Sequence, residues 1–394
     1  MTDPVISPYL TPERLMIRDL ARDFARAEVL PVANELDPQK GDIPDALIEK
    51  MAALGFFGIL IPEEYGGLGL GVFEYCLVAE ELARAWMSVA SLLARGNAFY
   101  RAIPGSEAER REKIAAMATG KYLGAAALSE PGTGSDLSGI SCRARRDGDE
   151  WVITGNKYWC TFADRADFIS VLCRIDEPGA DQAARPRTIS LIVDKLRCAF
   201  PDGLSGSPIP KIGYHGWKTW ELRFEGLRVP ARDERGSGKA FEEAAASLGV
   251  ARAHTAARSI GLAQGALEDA IAYAKERVQF GEPIANFQAI RFKIATMATE
   301  IEAARQLMHH VCTELDAGRQ ARAEISMVKY FASEMSERVT SEAMQILGGA
   351  GYTTLHAVER HWRDARLTRI FEGTSEIQQR IIADALLGKP VRPS

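Results

Sequence analysis

The segment RIFEGTSEIQ near the C-terminus contains a carboxylate, Glu372, whose neighbours suit a reactive group. Glu372 lies between the aromatic residue Phe371 and the glycine Gly373, and Thr374 and Ser375 follow as the start of a helix. A carboxylate that is positioned against a substrate can accept a proton. An acid at such a corner is therefore either a reactive group or an ordinary charge on a surface turn. The segment by itself leaves both interpretations open.

A second segment with chemical potential is ALSEPGTGSD, residues 127–136. It has the pattern of a strand end, an acid-proline break and then a run of small residues. Hydroxyl groups and free backbone amides at a strand end can hydrogen-bond the polar edge of a planar ligand, and glycines let that ligand approach closely. Taken alone, the segment favours a simple turn.

Other familiar site patterns are incomplete. GGLGLG at residues 66–71 lacks the spacing of a phosphate-binding loop, so a plain loop between helices is favoured. The histidines and cysteines form no HExxH, CxxC or mixed cluster, so we predict neither a metal site nor a disulfide framework. His309 is expected on a helix surface. Tyr214, Trp217 and Trp220 are expected to pack the edge of a β domain, with a ligand cage as the alternative.

The composition is that of a globular protein that acts on a small ligand. The chain has 394 residues, of which 46% are hydrophobic and 26% charged, which suits two or three domains. A net charge of -5 argues against a nucleic-acid partner. No apolar run reaches the ~18 residues of a membrane span, and MTDPVISPYL has neither a signal nor a transit pattern. We expect a cytoplasmic location and no membrane contact.

Helical patterning occupies residues 1–122, which we predict to form an all-α domain. Thr11 followed by Pro12 is a start signal for the first helix. Apolar residues then recur at helical spacing: Met16, Leu20 and Phe24.

The sequence pattern changes twice after residue 122. Residues 123–232 hold short β-rich runs separated by turn residues, which predicts a small β domain. Residues 233–394 return to helical spacing and predict a bundle. One stripe in this part has steps of four, three and four: Ile290, Ile294, Met297 and Ile301. The predicted fold is mainly α with a β insert, which is not the alternation of a doubly wound sheet.

Five motifs in order resemble the acyl-CoA dehydrogenase family of flavoproteins: LSEPGTGSD, GNKYWCT, RVQFG with FQAI, QILGGAGY and WRDARLTRIFEGTSEIQ. The resemblance extends over nearly the whole chain. It implies an N-terminal helical domain, a middle β-barrel domain and a C-terminal four-helix bundle. It also implies FAD as the cofactor, an acyl-CoA substrate desaturated between its α and β carbons, and an electron-transferring flavoprotein as the electron acceptor.

The resemblance assigns residues to the cofactor. Contacts to the flavin edge from the β domain are implied for Leu128, Ser129, Trp159 and Thr161. Contacts to the ADP half of FAD in the neighbouring subunit are implied for Arg277, Phe280, Gln288, Gln345 and Gly349. Thr374 is also expected to touch FAD. A cofactor site shared between subunits implies an obligate homo-oligomer, a tetramer built as a dimer of dimers.

The resemblance also places Glu372 at the position of the catalytic base, which takes the α-proton while a hydride passes from the β carbon to flavin N5. Dry surroundings beside Phe371 and the acyl chain would strengthen this base. Four substrate contacts are implied: Ser135, Arg252, Phe371 and Gly373. Some relatives carry the base one residue before this arginine, but Ala251 stands there, so Glu372 is the candidate that remains.

Three alternatives stay open at this point. The same fold could serve a CoA-thioester lyase without net oxidation or an acyl-CoA oxidase. A nucleic-acid-associated relative of the fold is disfavoured by the acidic charge. Arg95, in LLARGNAF, could contact a polar or carboxylated acyl tail, against the plainer interpretation of a solvated helix arginine.

Overall fold

Six helices form the first third of the chain in the computed structural model, which describes residues 8–176, 187–238, 240–319 and 321–390. They are α1 (Pro12–Phe24), α2 (Leu30–Leu36), α3 (Asp45–Ala53), α4 (Val72–Ala85), α5 (Met87–Asn97) and α6 (Glu107–Ala118). A π-helical turn joins α1 to α2. The segment at residues 66–71 is a loop that leads into α4, as predicted.

The start of α1 follows its sequence signal, whereas the predicted apolar stripe holds only in part. Thr11 accepts a hydrogen bond from the backbone N–H of Arg14 at 3.3 Å, directly before Pro12. Phe24 is buried, but Met16 is 72% and Leu20 48% exposed in this chain. Met16, Leu20 and Phe24 lie on one face of α1, and other residues of this chain cover that face only at its C-terminal end, at Phe24.

Within the part of the middle region that the structure describes, eight strands form one sheet. They are β1 (Gly124–Ala127), β2 (Arg143–Asp147), β3 (Glu150–Thr161), β4 (Phe168–Ile175), β5 (Thr188–Asp194), β6 (Leu204–Pro208), β7 (Thr219–Pro230) and β8 (Glu234–Gly238). The strand order is β6-β7-β3-β2-β4-β5-β8, and β1 pairs with β4 in parallel. Most other neighbours are antiparallel, and the parallel exception is β2 with β4.

Long helices return after the sheet and build the last third of the molecule. They are α7 (Ala240–Glu276), α8 (Gln288–Asp316), α9 (Arg322–Leu347), α10 (Val358–Thr368) and α11 (Ser375–Leu387). A small hairpin of β9 (Val278–Gln279) and β10 (Glu282–Pro283) lies between α7 and α8. The helices α7, α8 and α9 pack on one another, and α10 and α11 pack on α9.

The N-terminal helices and the bundle share one core, because α4 packs directly on α7. A Cβ atom at Gly261 of α7 would come within 2.2 Å of the Glu80 carbonyl oxygen of α4. Only a glycine permits this approach of two backbones, so Gly261 lets α4 and α7 pack closely.

The predicted stripe on α8 is confirmed for Met297 and Ile301, which are buried, while Ile290 and Ile294 are half-buried near the helix start. The expectation for His309 is wrong. Its ring is 1% exposed and lies 4.9 Å from the Phe73 ring, because α4 covers this face of α8.

The predicted fold class is confirmed: helices, a β insert and a helical bundle follow one another along the chain. The residue numbers of the domain boundaries stay predictions. No helix within the described residues is long and apolar enough to cross a membrane.

Candidate active site

Glu372 occupies a backbone corner between α10 and α11. Its φ is 54°, in the left-handed region that residues with a Cβ rarely adopt, and Gly373 follows with φ of 90°. Thr374 then caps α11, as predicted, by accepting a hydrogen bond from the Ile377 N–H at 3.4 Å. The two left-handed residues turn the chain sharply, so the Glu372 side chain is half-buried instead of lying along a helix.

Buried side chains of neighbouring helices hold this corner. Lys329 of α9, which is fully buried, donates from Nζ to the Gly373 carbonyl at 2.7 Å. Gln378 of α11 donates to the same carbonyl at 3.0 Å. Ser375 donates to Glu334 of α9 at 2.6 Å. The corner is thus tied to two helices, which stabilises the unusual conformation at Glu372.

Aromatic rings form one wall beside this corner. The Phe371 ring lies 6.0 Å from the Tyr214 ring, and Tyr214 lies 5.2 Å from Trp217, both edge to face. The guanidinium of Arg258, from α7, stands 4.8 Å over the Phe371 ring and donates to Ser91 of α5 at 2.6 Å. Tyr214 and Trp217 therefore pack toward the site, where the sequence pattern favoured a domain edge.

Cations surround Glu372. Burial lowers the pKa of Lys329 to about 8, and attraction to the Glu372 carboxylate opposes that shift. Burial likewise lowers the pKa of Arg252 and of Arg95, and Glu372 again acts in the opposite direction. Burial raises the pKa of Tyr214, which keeps its hydroxyl neutral near pH 7. The acid thus stands among positive charges and neutral rings.

The structure contradicts the interpretation of Arg95 as a solvated helix arginine. Its guanidinium carbon lies 5.1 Å from the Trp217 ring centre and 5.6 Å from that of Phe162. Its Nε is buried without a hydrogen-bond partner among the described residues. The side chain points from α5 into the interior, because it shares a face with Ser91, which binds Arg258.

The residues predicted for the flavin edge come together at the junction of β1 and β3. The Tyr158 N–H donates to the Ser129 carbonyl at 2.8 Å, which places Leu128 and Ser129 beside Trp159. Lys157, fully buried, donates to the Leu128 carbonyl and to the Glu130 carboxylate, each at 2.9 Å. Burial acts to raise the pKa of Glu130, but hydrogen bonds from Lys157 and Ser141 outweigh it and hold that pKa below its usual value.

The register of β3 against β7 is irregular between Lys157 and Cys160, and Trp159 there has φ of 64°. This bulge turns the indole outward, so that 57% of Trp159 is exposed. Thr161 is half-buried, and its hydroxyl lies 3.2 Å from that of Thr219. An exposed indole beside hydroxyl and backbone polar groups fits a planar, polar-edged ligand such as the flavin.

The residues predicted for the ADP half lie at another place, at one end of the bundle. Arg277 lies between α7 and β9, Phe280 lies in the turn between β9 and β10, and Gln288 begins α8. Gln345 and Gly349 lie where α9 ends, and Lys293 pairs with Glu342 to hold these ends of α8 and α9 together. All five predicted residues are exposed, and the Phe280 ring is 96% exposed at a φ of 54°.

The remaining predicted substrate contacts are spread more widely. Arg252 is half-buried on α7, and its Nε has no hydrogen-bond partner among the described residues. Ser135 is exposed in the loop after β1.

Among the described residues, no group of three or more His, Cys, Asp and Glu side chains could hold a metal ion. All six cysteines are free thiols.

Sequence reasoning missed Lys329, Arg258 and the site-facing role of Tyr214. One signal was available for Lys329, because it stands at helical spacing with Ile325 and Ala332, which are buried apolar residues of α9. Arg258 and Tyr214 carry no comparable local signal, since the partners that tie them to the site, Ser91 and Phe371, lie more than a hundred residues away in the chain.

Sequence models of three domains match the chain in order. The acyl-CoA dehydrogenase N-terminal domain matches residues 11–121, the middle domain residues 125–227 and the C-terminal domain residues 238–387. The chain belongs to the acyl-CoA dehydrogenase family. It is accordingly an oxidoreductase that acts on acyl-CoA, and FAD is the cofactor of this class.

Similar proteins include several enzymes of this family. The chain is 38% identical to a 3-(aryl)acrylate reductase of Clostridium sporogenes, over 96% of this chain and 100% of that protein. It is also 38% identical to the caffeyl-CoA reductase-Etf complex subunit CarC of Acetobacterium woodii, over 97% of this chain and 100% of that protein. Butyryl-CoA dehydrogenase from Megasphaera elsdenii superposes with a TM-score of 0.88 at 34% identity, over 96% and 99% of the two chains.

Proposed function

We propose that this acyl-CoA dehydrogenase desaturates the α–β bond of a CoA thioester with Glu372 as the base. The observation that carries the proposal is the corner at Glu372, which turns a carboxylate inward among rings and cations. No other family position for the base is filled, because Ala251 stands at the alternative one.

The chemistry that this geometry supports is a concerted loss of two hydrogens. The Glu372 carboxylate accepts the α-proton as the α C–H bond breaks. FAD, when bound, supplies the acceptor for the β-hydrogen and its electron pair. The carbon–carbon double bond forms between the two carbons, and the enzyme retains one proton on Glu372 until it is released to solvent. Phe371 and Tyr214 help to keep water from the reacting carbons.

The backbone of Glu372 can assist the same step. None of the backbone hydrogen bonds within the described residues uses the Glu372 N–H as a donor. A thioester carbonyl bound at this corner could accept that hydrogen bond, and negative charge that develops on its oxygen would be stabilised. Lys329 and Gln378 hold the next carbonyl, that of Gly373, so the amide of Glu372 is already oriented.

We also propose how the cofactor is held. Leu128, Ser129, Trp159 and Thr161 contact the flavin edge, with Thr374 close by. Arg277, Phe280, Gln288, Gln345 and Gly349 bind the ADP half of FAD in a neighbouring subunit. The separation of these two groups within one chain and the full exposure of Phe280 support a shared site. The enzyme would then be a homo-oligomer, with a tetramer as the expected form.

An electron-transferring flavoprotein is the proposed electron partner. The support is the relative named as a subunit of a reductase-Etf complex, which is similar over its whole length. That relative and the arylacrylate reductase are named as reductases. The same residues would serve the reverse reaction, in which protonated Glu372 returns a proton to the α carbon of an unsaturated thioester.

Anaerobic titration of the FAD-loaded enzyme with a panel of saturated acyl-CoAs tests the proposal. We expect bleaching of the flavin absorption band by at least one thioester, and formation of the enoyl product. Bleaching by none of them would contradict the dehydrogenase function. Rapid hydrogen peroxide formation in air, with no need for another acceptor, would instead favour the oxidase alternative.

Substitution of the proposed base gives the residue-level test. Glu372→Gln is expected to keep FAD and bind the thioester while the rate of flavin reduction falls by about 10²–10⁴. The matched control is Glu376→Gln, an exposed acid in the first turn of α11, which should reduce at the normal rate. Retained reduction in Glu372→Gln would mean that the base is elsewhere.

A further inference from the structure

Arg95, like Arg252, has no acceptor among the described residues, in contrast to Arg258 and Arg305. Arg258 donates to Ser91, Thr255 and the His254 carbonyl. Arg305 of α8 donates to Glu80 at 2.8 Å. Arg95 forms no hydrogen bond or ion pair within the described residues, and its Nε is buried. Such a group is costly to bury, so an arginine kept in this state is expected to meet an acceptor that the chain does not provide.

The surroundings of Arg95 supply rings but no dedicated counter-charge. Its guanidinium faces Trp217 and Phe162, and rings of this kind attract cations more weakly than a carboxylate does. Burial raises the pKa of Cys160 to about 12 and also raises that of Tyr214, so both neighbours are neutral near pH 7. The negative charge that reaches Arg95 is that of Glu372, which also attracts Arg252 and Lys329.

The position of Arg95 relative to the site indicates where an acceptor would come from. Tyr214 lies between the two parts of the site, since it contacts Phe371 beside Glu372 on one side and Trp217 beneath Arg95 on the other. Arg258 bridges them on the other side, because it covers Phe371 and binds Ser91, one helical turn before Arg95 on α5. A chain bound with its α carbon at Glu372 would therefore reach toward Arg95 with its far end.

We propose that Arg95 binds a carboxylate at the far end of the acyl chain, and that the enzyme prefers CoA monothioesters of dicarboxylic acids. This inference rests on the proposed function, since it places the thioester end of the substrate at Glu372. The distal carboxylate takes no part in bond changes. Its role is to pair with Arg95 in a dry site, where a planar guanidinium can form two parallel hydrogen bonds to it.

Two acyl chains of equal length test the proposal, glutaryl-CoA and valeryl-CoA, which differ in a terminal carboxylate against a methyl group. The wild-type enzyme should favour glutaryl-CoA in kcat/KM. In Arg95→Met, which keeps an apolar stem of similar reach, kcat/KM for glutaryl-CoA should fall about 30-fold or more, while that for valeryl-CoA stays or rises. Arg95→Lys should recover part of the loss. Arg101→Met, an exposed arginine just after α5, is the matched control and should change neither value.

Binding measurements separate this inference from the proposed reaction. With Glu372→Gln as the background, calorimetry should show tighter binding of glutaryl-CoA than of valeryl-CoA, and Arg95→Met should remove the difference. If that difference in binding is present but no thioester bleaches the flavin of the wild-type enzyme, the proposed reaction fails and the role of Arg95 stands. Equal losses for both thioesters in Arg95→Met, or loss of FAD from that variant, would overturn the role of Arg95.

Discussion

At the scale of single residues, the corner at Glu372 is a strained conformation held by its neighbours. A residue with a Cβ in the left-handed region costs about 1–3 kcal/mol, and it persists where surrounding contacts over-determine it. Here Lys329 and Gln378 bind the Gly373 carbonyl, and Thr374 caps the helix that follows. We infer that these contacts aim both the carboxylate and the amide of Glu372 at one substrate.

Lys329→Met tests this positioning role. The variant loses a charged donor to the Gly373 carbonyl, so we expect kcat to fall about 10-fold, the size of one charged hydrogen bond, with little change in KM. Burial lowers the pKa of Lys329 to about 8, so its charge is present below that pH and lost above it. A pH–rate profile of the wild type should then decline above about pH 8, and the variant should lack that limb.

Two observations would contradict that role for Lys329. One is an unchanged kcat with the same alkaline limb in Lys329→Met. The other is an equal effect in Lys50→Met, an exposed lysine of α3 that pairs with Glu28 far from the site and serves as the control. Thermal unfolding of both variants checks that each remains folded.

At the scale of elements, the buried pair of Glu130 and Lys157 joins the end of β1 to β3. The two side chains are 5% and 0% exposed, and Glu130 also accepts hydrogen bonds from the backbone of Ser141 and Cys142. Because Lys157 holds the Leu128 carbonyl as well, this pair sets the spacing between the two strand ends that we propose for the flavin edge.

Removal of one partner should therefore be costly. Glu130→Gln leaves Lys157 buried without its counter-charge and should lower the free energy of unfolding by about 3–5 kcal/mol, as measured by urea denaturation. The double variant Glu130→Gln with Lys157→Met should recover much of that loss, because no buried charge is left unpaired. A single variant as stable as the wild type would show that the pair is not a structural joint.

The same pair gives a direction for the pH dependence of stability. The pKa of Glu130 is lower in the folded protein than in the unfolded chain, so its contribution is complete above the ordinary value for a glutamate. That contribution is lost as the pH falls through the lower, folded value. Wild-type stability should consequently drop on acidification, and Glu130→Gln should lack this part of the drop.

At the scale of the whole molecule, charged contacts link the first helices to the last ones. Arg363 of α10 pairs with the buried Asp37 and with Glu359, and Arg360 donates to Asn34 at 3.1 Å. The Tyr214 N–H, from the middle of the chain, donates to Asp364 at 2.5 Å. Arg360 and Arg363 of α10 therefore join parts of the chain that are distant in sequence.

The proposed assembly can be tested through cofactor content. If Arg277 binds FAD held in a neighbouring subunit, Arg277→Ala should lower FAD occupancy after size-exclusion chromatography, because exposed charges on separate chains no longer bridge the cofactor. Arg223→Ala is the control, an exposed arginine of β7 that pairs with Glu225 at the surface. Unchanged FAD occupancy in Arg277→Ala would contradict the shared site.

Local signals were sufficient for much of the fold. Thr11 with Pro12, and Thr374 with Ser375, mark helix starts that the structure has, because a cap depends on residues within one turn of itself. The change from helical to β and back to helical spacing predicted the order of the elements, since periodicity is set along the chain. The motif around Glu372 likewise stood out before any contact was known.

Only the tertiary structure decided which side chains meet at the site. Arg95 and Arg258 belong to different helices, and Arg258 reaches Ser91 across 167 residues of sequence. Tyr214 faces Phe371 because the middle domain and α10 are joined, and His309 is buried because α4 covers α8. Burial is a property of what packs across a residue, so neither spacing nor composition could tell a solvated arginine from one that lies unpaired beside a proposed active site.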